Sequence, residues 1–159
     1  METDWKNSWI RQGIGFLLLL ALVLSSGCGK KDDTAALSKK LCEAVVKGYV
    51  VETEKLVREH PRLVNIPGTD DMTSTPLHLA VKNNRYEIAK LLLQNGADIN
   101  ARNKHGQTPL HLAAMSGNAE FAQILLSQNA RKDIRDHWGQ SALMYATKMR
   151  RSEVQKLLK

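Results

Sequence analysis

Apolar positions in the second half of the chain recur in short helical groups. Ile88, Leu91 and Leu92 have the i, i+3, i+4 spacing that places side chains on one face of a helix. Phe121, Ile124 and Leu125 repeat that group 33 residues later, and Val154, Leu157 and Leu158 repeat it after another 33. A second apolar block precedes each group. It reads Thr75-Pro76-Leu77-His78-Leu79-Ala80, then Thr108-Pro109-Leu110-His111-Leu112-Ala113, then Ser141-Ala142-Leu143-Met144-Tyr145-Ala146. Each unit therefore predicts two helices. Thr75 and Thr108 suit the N-cap of the first, with Pro76 and Pro109 at the first helical position, where a missing N–H costs little. That helix ends near Asn83-Asn84 or Ser116-Gly117. Gln94-Asn95-Gly96 stops the second helix, with Gly96 suited to a left-handed C-terminal position. Gly106 and Gly139 stand two residues before the Thr or Ser cap, in the turn joining units. Thr73 holds that place one unit earlier, which predicts a loop of different geometry there.

A fixed period in this range means stacked supersecondary units, and period 33 with this hexapeptide is the ankyrin signature. The chain resembles the ankyrin-repeat family on those residues. The resemblance implies an all-α fold: a solenoid of about four helix-turn-helix units with hairpin-like loops, after an N-terminal signal peptide. The repeat domain is expected over 37–159, in units 37–65, 66–100, 101–133 and 134–159. The first unit is degenerate. Leu41, Ala44, Gly48 and Leu56-Val57 precede Leu77, Ala80, Asn84 and Leu92-Leu93 by 36 residues, and the excess falls in the Pro61 to Asp71 loop. Glu52 and Lys55 replace apolar residues, as expected of an end unit with no neighbour on one side. Gln155 and Lys159 make the last unit a polar closing cap.

The start of the chain follows another pattern. Residues 13–24 are almost purely apolar, with Arg11 before them and Ser25, Ser26 and Gly27 after. A membrane-spanning helix needs about 20 such residues, whereas a shorter run with a small-residue exit is the layout of a secretory signal. The next residue is Cys28. Residues 1–27 thus resemble a bacterial lipoprotein signal peptide, although the leucine stands one place earlier than in that family and Glu2 and Asp4 offset Lys6 and Arg11. The resemblance implies cleavage before Cys28 and acylation (palmitate-type chains) of its thiol. Gly29, not aspartate, follows Cys28, so the resemblance favours the outer membrane over the inner, at the periplasmic face. An uncleaved signal anchor is the alternative. Residues 28–36 read as the lipidated cysteine and a polar tether. If extended at roughly 3.4 Å per residue, it holds the domain within roughly 30 Å of the bilayer.

Composition narrows the chemistry. Aromatic residues are 5% of the chain, so the core must be built from Leu, Ile, Val and Ala. The formal net charge of +7 favours acidic partners or anionic membrane surfaces. No basic run is interleaved with stacking aromatics, so nucleic acid is not expected as a partner. Of two cysteines, Cys28 is accounted for by acylation and Cys42 by burial as a small hydrophobe, so no disulfide is expected. In the ankyrin family the histidine at His78 and His111 links its own repeat to the next loop by hydrogen bonds. Met144 replaces it in the last unit, so no metal site is expected. His105 and His137 are exposed loop positions with the same expectation. No nucleophile elbow, phosphate loop or paired-cysteine spacing occurs. Catalytic residues, cofactors and a small-molecule substrate are therefore not expected, and the chain is not expected to be an enzyme.

Solenoids bind on the face formed by equivalent positions of successive repeats. The resemblance implies that these are the loop tips and the exposed side of the first helix of each unit. The tips are Asp71, Met72 and Ser74; Lys104, His105 and Gln107; then His137, Trp138 and Gln140. The helix positions are Lys82 and Asn83, Met115 and Ser116, Lys148 and Met149. Trp138 stands out, because tryptophan at a turn has no core to serve and is enriched among binding hot spots. The expected function is a membrane-anchored, periplasmic protein-binding module. Its sharper form is an immunity protein or inhibitor of a secreted toxin. The alternatives are a stabiliser of a periplasmic enzyme, such as one of oxidative defence, or an envelope lipid-binding protein.

Overall fold

Thr75 and Thr108 each turn extended backbone into a helix. In the computed structural model, which describes residues 31–68 and 70–159, Thr75 (φ −71, ψ 162) and Thr108 (φ −95, ψ 167) are N-caps, each followed by proline at the first helical position. Among the described residues eight α-helices result: α1 Lys31–Lys47, α2 Val50–Glu59, α3 Pro76–Lys82, α4 Tyr86–Gln94, α5 Pro109–Ser116, α6 Ala119–Ser127, α7 Ala142–Lys148 and α8 Ser152–Leu158. A 3-10 helix spans Pro61–Asn65, within the longer first loop. Among the described residues all regular structure is helical, apart from one antiparallel bridge between Arg135 and Ser141.

Helices α3 and α4, α5 and α6, and α7 and α8 pack as pairs. Helix α5 also lies between α3 and α7, while α2 meets α4 and α6 meets α8. Ala80, Ala113 and Ala146 are fully buried at the period of the repeat. Their small side chains let the inner helices α3, α5 and α7 approach one another. The apolar groups legible in the sequence supply the rest of the core. Ile88, Leu92, Phe121, Leu125, Val154 and Leu158 are buried, and Tyr86 stacks on Phe121 with ring centroids 4.4 Å apart. Full burial of a side chain of that size contributes roughly 1.5–3 kcal/mol.

The degenerate first unit follows the alignment expected of it. Leu41, Ala44, Leu56 and Val57 are buried. Gly48 takes a left-handed φ of +84, as Asn84 (+56), Gly117 (+79) and Arg150 (+55) do at the equivalent place between the two helices. Arg85 ties the first unit to the second, donating from Nε and Nη2 to the Val46 carbonyl at 3.1 and 2.9 Å. One expectation is corrected. The tether was to extend to residue 36, but Lys31–Lys47 is helical. Ala35 and Ala36 are strong helix formers, and Asp33 falls in the first turn, where a negative charge complements the helix dipole. The leader, Cys28 and residues 29–30 lie outside the described residues.

Candidate functional site

The loop tips are built on an Asx residue that recurs every 33 positions: Asp70, Asn103 and Asp136. The Asn103 Oδ1 accepts the N–H of His105 (2.9 Å) and of Gln107 (3.0 Å). Asp136 Oδ1 accepts the N–H of Trp138 (3.0 Å) and of Gln140 (2.9 Å). Asp70 Oδ1 accepts that of Ser74 at 2.8 Å. Each hairpin-like turn closes through the backbone, Asn103 N to Gln107 O at 2.9 Å and Asp136 N to Gln140 O at 3.0 Å. Neighbouring tips are tied edge to edge. Lys104 N donates to Met72 O at 2.9 Å, and His137 N donates to His105 O at 3.0 Å.

Two buried histidines hold the tips onto the helices. Thr75 N and Thr108 N both donate to the Nδ1 of the histidine three residues on, at 3.3 and 3.1 Å. Nδ1 is therefore an acceptor, and the proton sits on Nε2. From there His78 donates to Gln107 O (3.0 Å) and His111 to Gln140 O (3.1 Å). Each histidine thus links its own unit to the next loop, as expected.

Residues 77–126 match the family model described as ankyrin repeats, many copies. This stretch of the chain is made of ankyrin repeats. Among curated relatives, a probable E3 ubiquitin-protein ligase of Oryza sativa subsp. japonica is 36% identical over 59% of this chain and 17% of its own length. An ankyrin repeat domain-containing protein of Xenopus laevis is 39% identical over 40% of this chain and 12% of its own. The zygote-specific protein 3 of Chlamydomonas reinhardtii is 34% identical over 58% of this chain and 32% of its own. The alignments span less than a third of these relatives. The relatives share the repeat, and ankyrin repeats are protein-interaction modules.

The turns sort the expected binding positions. Asp71, Lys82, Lys104, Ser116, His137, Trp138, Lys148 and Met149 are exposed; Met72, Asn83, His105, Met115 and Gln140 are half-buried. Ser74 and Gln107 are corrections, since each is only 4% exposed. The Ser74 N–H and carbonyl are taken up inside the loop, by Asp70 and Gly68. Gln107 is enclosed between Asn103, the His78 ring and Met115, to whose Sδ it donates at 3.7 Å. Both residues shape the turns rather than offer surface. Trp138 is 58% exposed, and its ring lies against His105, with centroids 5.1 Å apart and a 34° tilt. The tryptophan therefore rests on the neighbouring tip.

The loop before α3 was expected to depart from the others, and it does so at its base and in Asp70, which accepts one N–H where Asn103 and Asp136 each accept two. There Gly68 N, rather than that of Asp70, donates to Ser74 O at 2.8 Å. At the tip, Thr73 itself takes φ +48, next to +76 for Gly106 and +71 for Gly139. Thr73 N donates to Asp70 O (3.0 Å), matching Gly106 N to Asn103 O (2.8 Å) and Gly139 N to Asp136 O (3.0 Å).

Electrostatics follow burial. Burial pushes His78 and His111 below the ordinary histidine range, against the pull of their carbonyl partners. Burial would raise Asp136, but the Tyr145 hydroxyl at 2.6 Å and the N–H groups of Gln140 and Trp138 hold it below the usual carboxylate range. Burial, reinforced by Asp70, pushes the Cys42 thiol up to about 11, so it is protonated and a poor nucleophile. Among the described residues no group of three or more His, Cys, Asp or Glu could hold a metal ion. None of their helices is long and apolar enough to cross a membrane.

Sequence reasoning missed Arg102 and Arg135. The Arg102 guanidinium donates from Nε to Gly106 O (3.2 Å) and from Nη2 to Arg135 O (2.8 Å). Arg135 Nη1 donates to Gly139 O at 2.8 Å. Both guanidinium groups are thereby drawn beside the tips. Their shared period, 33 residues, was a readable signal.

Proposed function

We propose that this chain works by binding another protein on the face formed by the loop tips and the exposed side of α3, α5 and α7. The observation that carries the reading is Trp138, a large ring left exposed on a turn whose backbone is fixed by Asp136. A rigid aromatic presented on an ordered turn gives contact area at little entropic cost, as binding hot spots do. The leader supports a location. Acylation of Cys28 would hold this face at a membrane, on the periplasmic side, and at the outer membrane by the residue that follows the cysteine. In its sharper form the protein is an immunity protein or inhibitor that meets a secreted toxin at the membrane. The test is affinity capture from a detergent extract with the wild-type chain and with Trp138→Ala. Trp138→Ala should keep its helical circular dichroism and lose at least about tenfold in capture. Undiminished capture by the variant refutes the assignment of the binding face.

A further inference from the structure

We infer that the partner segment seated on this face is acidic, with an apolar side chain placed on Trp138. The inference rests on the binding face proposed above and adds the chemistry of its occupant. Among the described residues, the cations of the second and third tips form no ion pair. The ion pairs of the described residues are Lys40–Glu52, Arg58–Glu54, Arg131–Asp133 and Lys156–Glu153, which leave Arg102, Lys104 and Arg135 without a carboxylate. The acids of the Trp138 unit are occupied, whereas Asp71, two tips away, is exposed. Asp136 is spent on two N–H groups and the Tyr145 hydroxyl, and Asp133 on Arg131 at 2.6 Å. The guanidinium groups are fixed by the turns, Arg102 on Gly106 O and Arg135 on Gly139 O. Fixed guanidinium groups lose little entropy on meeting carboxylates, and each retains N–H donors for them. Exposed Lys104 and Lys148 extend the positive field along the face. A peptide is favoured over a lipid surface because the exposed apolar side chains are few, the Trp138 ring seated on His105 with Met144 and Met149, too little to enter a bilayer, yet enough for a single anchor side chain.

The test uses the full chain in detergent and a labelled short peptide of glutamates around one leucine, beside the same peptide with glutamine for glutamate. The glutamate peptide should bind at least about tenfold more tightly at low salt, with the gap narrowing as salt rises. The triple variant Arg102→Gln/Lys104→Gln/Arg135→Gln should erase that gap, while Lys39→Gln/Lys55→Gln/Lys90→Gln, with the same change of net charge, should keep it. Lys104→Glu alone, whose side chain makes no hydrogen bond in the fold, should weaken the glutamate peptide with no change in circular dichroism. Equal binding of both peptides, with Trp138→Ala still weakening each, overturns the acidic partner and leaves the binding face standing. Indifference to Trp138→Ala and to the charges together overturns both. Binding to phosphatidylglycerol vesicles in preference to the glutamate peptide overturns the inference in favour of a lipid surface.

Discussion

Thr73 is the residue most at odds with its backbone. A β-branched side chain at φ +48 is uncommon, because the left-handed region brings Cβ against the following carbonyl. The fold tolerates it since Lys104 N on Met72 O and Thr73 N on Asp70 O hold the turn from both sides. Strain of this kind costs on the order of 1–3 kcal/mol, and glycine gives back roughly 0.5–1 of that through its freer unfolded state. Thr73→Gly should therefore raise stability by about 1 kcal/mol. Urea unfolding with the slope unchanged measures it, and a lower midpoint would mean that the Thr73 side chain makes a contact worth more than the strain. The sequence marked this position, since threonine stands where the later units have glycine. It could not tell which way the conflict would resolve. Here the hydrogen bonds between tips override the local preference, while the base of the loop shifts to Gly68 and Asp70 accepts only the Ser74 N–H. Cys42 was legible for the opposite reason. It sits on the apolar face of α1, where burial outweighs its hydrogen bond with Ser38, so its position alone sufficed.

The helix pairs were written plainly in the chain, because one hexapeptide encodes cap, first turn and buried face together. The buried histidine is the costly part of that code. With Nδ1 accepting and Nε2 donating, the imidazole fits only when neutral. Its folded pKa lies below its unfolded value, so the folded state binds fewer protons as pH falls through the unfolded pKa near 6.5. Stability is then full above that pH and is lost below it, down to the depressed folded pKa. His78 and His111 each contribute at most about 1.4 kcal/mol per pH unit across that window. Urea midpoints should hold steady from about pH 8 to 7 and fall below about 6.5. His78→Gln should start lower, by roughly 1–3 kcal/mol for an unsatisfied buried partner, and show a shallower fall in acid. A slope that His78→Gln leaves unchanged would place the acid sensitivity elsewhere, with Asp136 the next group to examine. The Asx residues were equally periodic yet unread. Asp70, Asn103 and Asp136 change identity between copies, while the function they share, accepting the N–H four residues on, does not. The start of α1 was misjudged because charge was weighed above helix propensity over Asp33 to Ala36.

At the scale of the whole molecule, the repeat scaffold and the face it presents are separable in the sequence. Residues identical between copies build the stack, and those that differ, such as Met72, His105 and Trp138, are left at the tips. What stayed hidden was which side chains the turns draw inward, Ser74 and Gln107, and which cations they hold beside Trp138, because both depend on loop bonds between units. The proposed location is a different kind of property, resting on residues 1–28 rather than on the stack. A single acyl chain binds a bilayer only reversibly, and each buried methylene adds roughly 0.8 kcal/mol, so a multiply acylated Cys28 would make release negligible. Cys28→Ser removes the thiol that must carry the lipid and leaves the apolar run of residues 13–24 intact. Two outcomes fit the proposal: a soluble product, or a longer uncleaved chain kept at the membrane by its leader. Fractionation with an apparent-mass comparison separates them, and metabolic labelling with palmitate should mark the wild type and not the variant. A cleaved Cys28→Ser chain that still partitions fully with membranes would refute the lipid anchor. The repeat domain itself would then be the membrane-binding part, through the exposed cations of its last unit: Lys148, Arg150, Arg151, Lys156 and Lys159. In that case high salt should release the chain, which it cannot do to an acyl anchor.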